Sequence, residues 1–125
     1  MSESKSKVLA LKYRPTAWNQ VIGNDLIVEA ITNSIRFSTT PNAWLLTGIR
    51  GTGKTTIARL ISRSLNCENG IDNLCKDKMC KNCEEITNSN SLSTLEIDGA
   101  TNTGIDSVRE LKEQALYRPV DAKYK

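Results

Sequence analysis

The chain has 125 residues, 38% hydrophobic and 25% charged, with 17 Lys and Arg against 14 Asp and Glu for a formal charge of +3. This is the composition of one globular domain or part of one, with length for a modest core and too little charge to argue for nucleic acid by itself. It contains no histidine, which excludes His-based acid–base catalysis and His metal ligands.

In chain order, residues 1–7 are polar and rich in Ser and Lys, and read as a disordered lead-in to a domain over 8–125. Tyr13-Arg14-Pro15 cannot continue a helix, because the residue before proline is pushed to an extended conformation. Asn24 or Asp25 is placed to cap a helix with Ile27, Ala30, Ile31 and Ile35 on one face. A turn over Thr39 to Asn42 leads into Ala43-Trp44-Leu45-Leu46, a short apolar run predicted to be a buried strand. Ile57, Leu60, Ile61 and Leu65 mark the face of a second helix. Thr94-Leu95-Glu96-Ile97-Asp98 alternates apolar and polar and predicts a second strand ending at Gly99. A last helix carries Val108, Leu111, Ala115 and Leu116 on one face and is closed by Pro119. The order helix, strand, helix, insertion, strand, helix predicts an α/β fold with a parallel sheet and flanking helices. No stretch resembles a signal peptide or a transmembrane span, so a cytoplasmic protein without membrane contact is expected.

Between the first strand and its helix lies Gly48-Ile49-Arg50-Gly51-Thr52-Gly53-Lys54-Thr55. Its spacing fits the phosphate-binding pattern, in which glycines let backbone N–H groups converge on a phosphate. Lys54 would reach the β- and γ-phosphates, and the Thr55 hydroxyl would complete the shell of a Mg²⁺ ion. Strand, glycine loop and helix is the context that this motif requires, since the helix N-terminus adds partial positive charge at the phosphate. The bland alternative, an ordinary glycine turn, is disfavoured by that context. Asp98 is the one acid near a position that could assist a metal, but it alternates with apolar residues and reads better as loop after a sheet strand.

Cysteines follow as Cys67-x7-Cys75-x4-Cys80-x2-Cys83. In a reducing cytoplasm four such thiols are not expected to pair as disulfides. The pair at Cys80 and Cys83 can place two thiolates on one ion, and two more nearby close the tetrahedral site of structural Zn²⁺. The intervening residues are too polar to fold by burial alone, and a metal would supply that free energy. Free or redox-active thiols are the alternative.

Together these residues resemble the gamma/tau family of bacterial DNA polymerase III subunits, the AAA+ ATPases of the sliding-clamp loader. The resemblance runs from about Leu9 to Lys125. It rests on Lys12-Tyr13-Arg14-Pro15, Val21-Ile22-Gly23, the loop from Thr47 to Thr55, Ile57-Ala58-Arg59-Leu60 and Leu65-Asn66-Cys67. It continues in the four cysteines, Glu96-Ile97-Asp98-Gly99-Ala100, Arg109-Glu110-Leu111 and Tyr117-Arg118-Pro119. A phosphate loop followed so closely by a four-cysteine insertion is far more specific than the loop alone.

The resemblance implies a partial AAA+ core with a zinc module inserted at 67–83. It implies ATP, Mg²⁺ and Zn²⁺ as cofactors, and Lys54 and Thr55 as the catalytic positions. Gly48 to Thr55, with Thr56, would hold the nucleotide phosphates. Tyr13, Arg14, Pro15, Val21 and Ile22 would line the adenine end of the pocket, although turn and core packing explain those five equally well. The implied partners are other clamp-loader subunits in a hetero-oligomer, the sliding clamp, the polymerase core and, through the assembly, primed DNA. Two departures stand out. The family's last cysteines usually run Cys-x2-Cys-x2-Cys, whereas here four residues separate Cys75 from Cys80, which leaves the second ligand open. The family's Asp-Glu strand, sensors and arginine finger are also not among these residues, so an N-terminal fragment that binds ATP without competent hydrolysis is expected. The competing readings are a zinc-stabilised scaffold without hydrolysis and a zinc-lid P-loop kinase. Such kinases start almost at the loop and carry two Cys-x2-Cys pairs much later.

Overall fold

A computed structural model describes residues 8–125, and the expected lead-in at 1–7 lies outside them. Five α-helices form: α1 (Leu9–Lys12), α2 (Asp25–Arg36), α3 (Lys54–Asn66), α4 (Lys81–Thr87) and α5 (Ile105–Leu116). Two 3₁₀ turns, Trp18–Gln20 and Ile71–Asn73, complete the regular structure.

Among the described residues there is no β-strand, which corrects the expected parallel sheet. A strand exists by virtue of its hydrogen-bond ladder, and residues 43–46 and 94–98 do not pair with each other. Both segments are held by side chains instead. Trp44 and Leu46 pack on the core while Leu45 between them is 88% exposed. Thr94 Oγ1 lies 2.8 Å from Ser62 Oγ, and Glu96 takes two 2.8 Å hydrogen bonds from Arg59 Nε and Nη2.

Helix α2 starts at Asn24, but not by the side-chain cap expected there. Asn24 is left-handed at φ 57° and makes no capping hydrogen bond; its carbonyl accepts the Val28 N–H at 2.9 Å. Asp25 in the first turn and Arg36 in the last still complement the helix dipole. The predicted face is covered only in part: Ile31 is buried and Ile35 packs on the core, while Ile27 is half exposed.

Helix α3 is the centre of the molecule. Ile57, Leu60 and Ile61 are buried as the periodicity predicts, with Leu65 against the same cluster. Burial extends beyond that apolar stripe to the polar residues Arg63, Ser64 and Asn66. These polar residues each reach at least one partner far away in sequence. Ser64 Oγ accepts the Trp18 indole N–H at 2.8 Å and donates to Leu60 O at 2.7 Å. Asn66 accepts from Asn82 Nδ2 at its carbonyl and from the Tyr124 N–H at its side chain.

The last helix differs from expectation in burial. Helix α5 has no buried residue, and Val108 and Leu116 are largely exposed. Its face meets only the rim of a cavity that Leu65, Leu95, Leu111 and Ala115 share.

Two apolar clusters result. One joins Ile31, Ile57 and Ile61 with Ile35, Trp44, Leu46 and Leu65, and the other joins Cys67, Leu74, Cys75 and Cys83 with Met79 and Cys80. Trp18 packs against both. Trp18→Ala is therefore expected to cost about 3 kcal/mol, at the low end for a large core side chain because the indole is only half-buried. Leu45→Ala should stay within about 0.5 kcal/mol. Urea denaturation of the two variants checks the contrast.

Candidate functional site

The glycine loop runs directly into α3. Gly48, Gly51 and Gly53 have φ of 155°, 83° and 88°, conformations that side chains with a Cβ rarely adopt. At Gly48 space is short too, since a Cβ would meet Thr52 Oγ1 at 3.0 Å. Gly53 is the left-handed residue that precedes α3, so the first N–H groups of that helix follow straight on from the loop. Lys54 Nζ curls back over the loop, donating to Gly48 O at 2.9 Å, Ile49 O at 2.6 Å and Thr52 Oγ1 at 3.3 Å. Ile49, Arg50, Thr52 and Thr55 are exposed, and Thr56 is half-buried. The loop thus gathers one ammonium, two hydroxyl residues and a helix N-terminus within a few residues, a combination suited to an anion.

The adenine-end candidates separate. Arg14 and Pro15 come together with Thr16, Thr56 and Arg59 around a cavity of 220 Å³. Tyr13, Val21 and Ile22 do not line it, and Ile22 is 97% exposed. Asp98 lies in a turn, where its Oδ1 accepts the Ala100 N–H at 2.9 Å and its carbonyl accepts from Asn102.

At the other end of α3 all four cysteines converge. Their sulfur atoms lie within 4.8 Å of one another, and the Sγ atoms of Cys67 and Cys75 are 3.6 Å apart. Sulfurs on one tetrahedral zinc, with bonds of about 2.3 Å, sit roughly 3.8 Å apart, so the spacing is compatible with a single ion. Cys75 takes part despite its unusual distance in sequence from Cys80. Two donors reach its sulfur, the Cys80 N–H and Asn69 Nδ2, each at 3.3 Å.

The thiols are electrostatically unequal. At Cys75 the Cys80 N–H pulls the thiol down, but burial and the neighbouring Cys67 and Cys80 together leave it raised. At Cys80 burial pushes upward, and N–H groups of Glu68 and Cys83 with two neighbouring thiols outweigh it, down to about 7. Burial drives Cys83 far upward, and the Arg63 guanidinium beside it offsets only part of that.

Arg63 escaped the sequence reading. It is 2% exposed, donates from Nη1 to Thr16 O and from Nη2 to Cys75 O at 2.8 Å, and leaves Nε without a partner among the described residues. One signal was available: Arg63 falls three residues after Leu60, on the flank of an apolar stripe rather than opposite it.

Residues 23–125 match the family model described as "DNA polymerase III, delta subunit". The chain is 44% identical over 119 residues to the DNA polymerase III subunit gamma of Buchnera aphidicola subsp. Baizongia pistaciae, covering 94% of this chain and 32% of that protein. It is 38% identical to the subunit tau/gamma of Haemophilus influenzae and 36% identical to the subunit tau of Escherichia coli, covering 95% of this chain in each case and 17% and 18% of those proteins. The chain thus spans about a third or less of the length of these relatives. Among the described residues no helix is long and apolar enough to cross a membrane.

The loop geometry makes a prediction of its own. Gly51→Ala should cost about 1–2 kcal/mol, because a Cβ is strained at φ 83° even with open space around it. Gly99→Ala, in open space and without a positive φ, should be nearly neutral. Thermal unfolding of both variants reads the difference.

Proposed function

The chain belongs to the family of DNA polymerase III subunits that its residues 23–125 match, and on that footing we propose that it is an ATP-binding subunit of the bacterial clamp loader. One observation carries the reading: a single helix, α3, starts on the phosphate loop and ends at the first thiol of a four-sulfur group. At 13 residues it places the two about 20 Å apart. In this reading Gly48 to Thr56 hold the phosphates of ATP. Lys54 exchanges its loop carbonyls for phosphate oxygens, and Thr55 supplies a hydroxyl to Mg²⁺. Arg14 and Pro15, already gathered beside Thr56, border the adenine end.

Cys67, Cys75, Cys80 and Cys83 would hold a structural Zn²⁺. Four thiolates leave no open coordination position, so the ion contributes folding free energy rather than chemistry. The partners would be other clamp-loader subunits, the sliding clamp and the polymerase core, acting at primed DNA in the bacterial cytoplasm. No Asp-Glu pair occurs in these 125 residues, and by themselves they should bind ATP without competent hydrolysis.

Lys54→Ala should weaken ATP binding by about tenfold or more, the loss of a charge-assisted contact, in calorimetric titration with Mg·ATP. Unchanged affinity would leave a scaffold without nucleotide function. For the metal, mass spectrometry under non-denaturing conditions should find one zinc per chain. Cys83→Ser or a strong chelator should remove it and lower the unfolding temperature. A chain that carries no zinc and is indifferent to chelator would refute the metal centre.

A further inference from the structure

Four thiolates around a dication carry a net charge of about −2, and burying such charge is costly unless something compensates it. Cys67, Cys75 and Cys83 are buried and Cys80 is half-buried, so solvent does little of that work. The lysines of the segment, Lys76, Lys78 and Lys81, are exposed, and Lys81 is engaged by Asp121 at 2.5 Å. Among the described residues Arg63 is the one cation buried against the cluster. It lies beside Cys83, and its Nη2 holds the carbonyl of Cys75 at 2.8 Å.

The geometry of Arg63 is otherwise hard to account for. A buried guanidinium with two carbonyl acceptors and, among the described residues, no carboxylate partner and an orphan Nε is a costly arrangement. Its carbonyl partners fix the side chain without neutralising it. A negatively charged metal–thiolate centre supplies the missing countercharge.

Resting on the zinc reading above, we propose that Arg63 is a positioning residue of the cysteine centre, a built-in countercharge that stabilises the tetrathiolate state and holds the Cys75 arm in place. Through Thr16 O the same side chain ties the segment that carries Arg14 and Pro15 to the metal end of α3.

The test uses the whole chain, with zinc affinity measured by competition against a chromophoric chelator and the site geometry read from the absorption bands of the cobalt(II)-substituted protein. Arg63→Met keeps the bulk and removes the charge. It should bind zinc about 10–100-fold more weakly, the usual effect of losing an outer-shell partner, and shift the cobalt–thiolate bands. Arg63→Lys restores the charge and should recover most of that affinity. Folded Arg63→Met with wild-type zinc affinity overturns the proposal. If Arg63→Met does not fold, Arg63→Lys decides: affinity near wild type supports the countercharge, and a loss as large as that of Cys75→Ser overturns it. A wild-type chain that binds neither zinc nor cobalt would instead sink the metal reading itself, before Arg63 is in question.

Discussion

Helix α3 is held from three directions at once, and the rest of the structure hangs on that grip. Its apolar face packs on Ile31 of α2, and Ser64 takes the Trp18 indole. Arg63 and Asn66 bind carbonyls and amides of segments far away in sequence. A helix buried so thoroughly has little freedom to translate or rotate. Its two ends therefore become fixed points: the glycine loop is delivered to one, and the cysteines are drawn around the other.

The charged contacts have unequal weight. Arg59–Glu96 and Arg36–Asp72 are two-point pairs near the surface, each worth of order 1 kcal/mol or less in water. Their role is to say where a segment lies: Arg59 pins the extended stretch at Glu96 along α3, and Arg36 pins the loop at Asp72 to α2. Arg63 is different in kind, because among the described residues it has no acid partner, and it has little access to solvent.

Local patterns were legible in the sequence and long-range pairing was not. The face of α3, the stop before Pro15, the span of α2 and the positive-φ glycines follow from spacing and sterics confined to a few residues. The convergence of four sulfurs was legible in the Cys80-x2-Cys83 pair with two more thiols close by in sequence, a spacing that can bring the sulfurs onto one point. The sheet was read from an apolar run at 43–46 and from alternation at 94–98. Such local patterns are silent on whether a neighbouring strand is there to pair. Arg63 and Asn66 look like solvated positions in the sequence because their partners lie 12 to 58 residues away.

The placement of the two tryptophans has a practical consequence. Trp18 sits where the two clusters meet, with its indole N–H tied to α3, while Trp44 lines the 730 Å³ cavity beside the glycine loop. These are the only tryptophans in the chain. Its intrinsic fluorescence is thus divided by position: one emitter adjoins the thiol centre and the other adjoins the phosphate loop. Keeping either indole alone would turn the protein into its own optical sensor for that end of the helix, with no label attached.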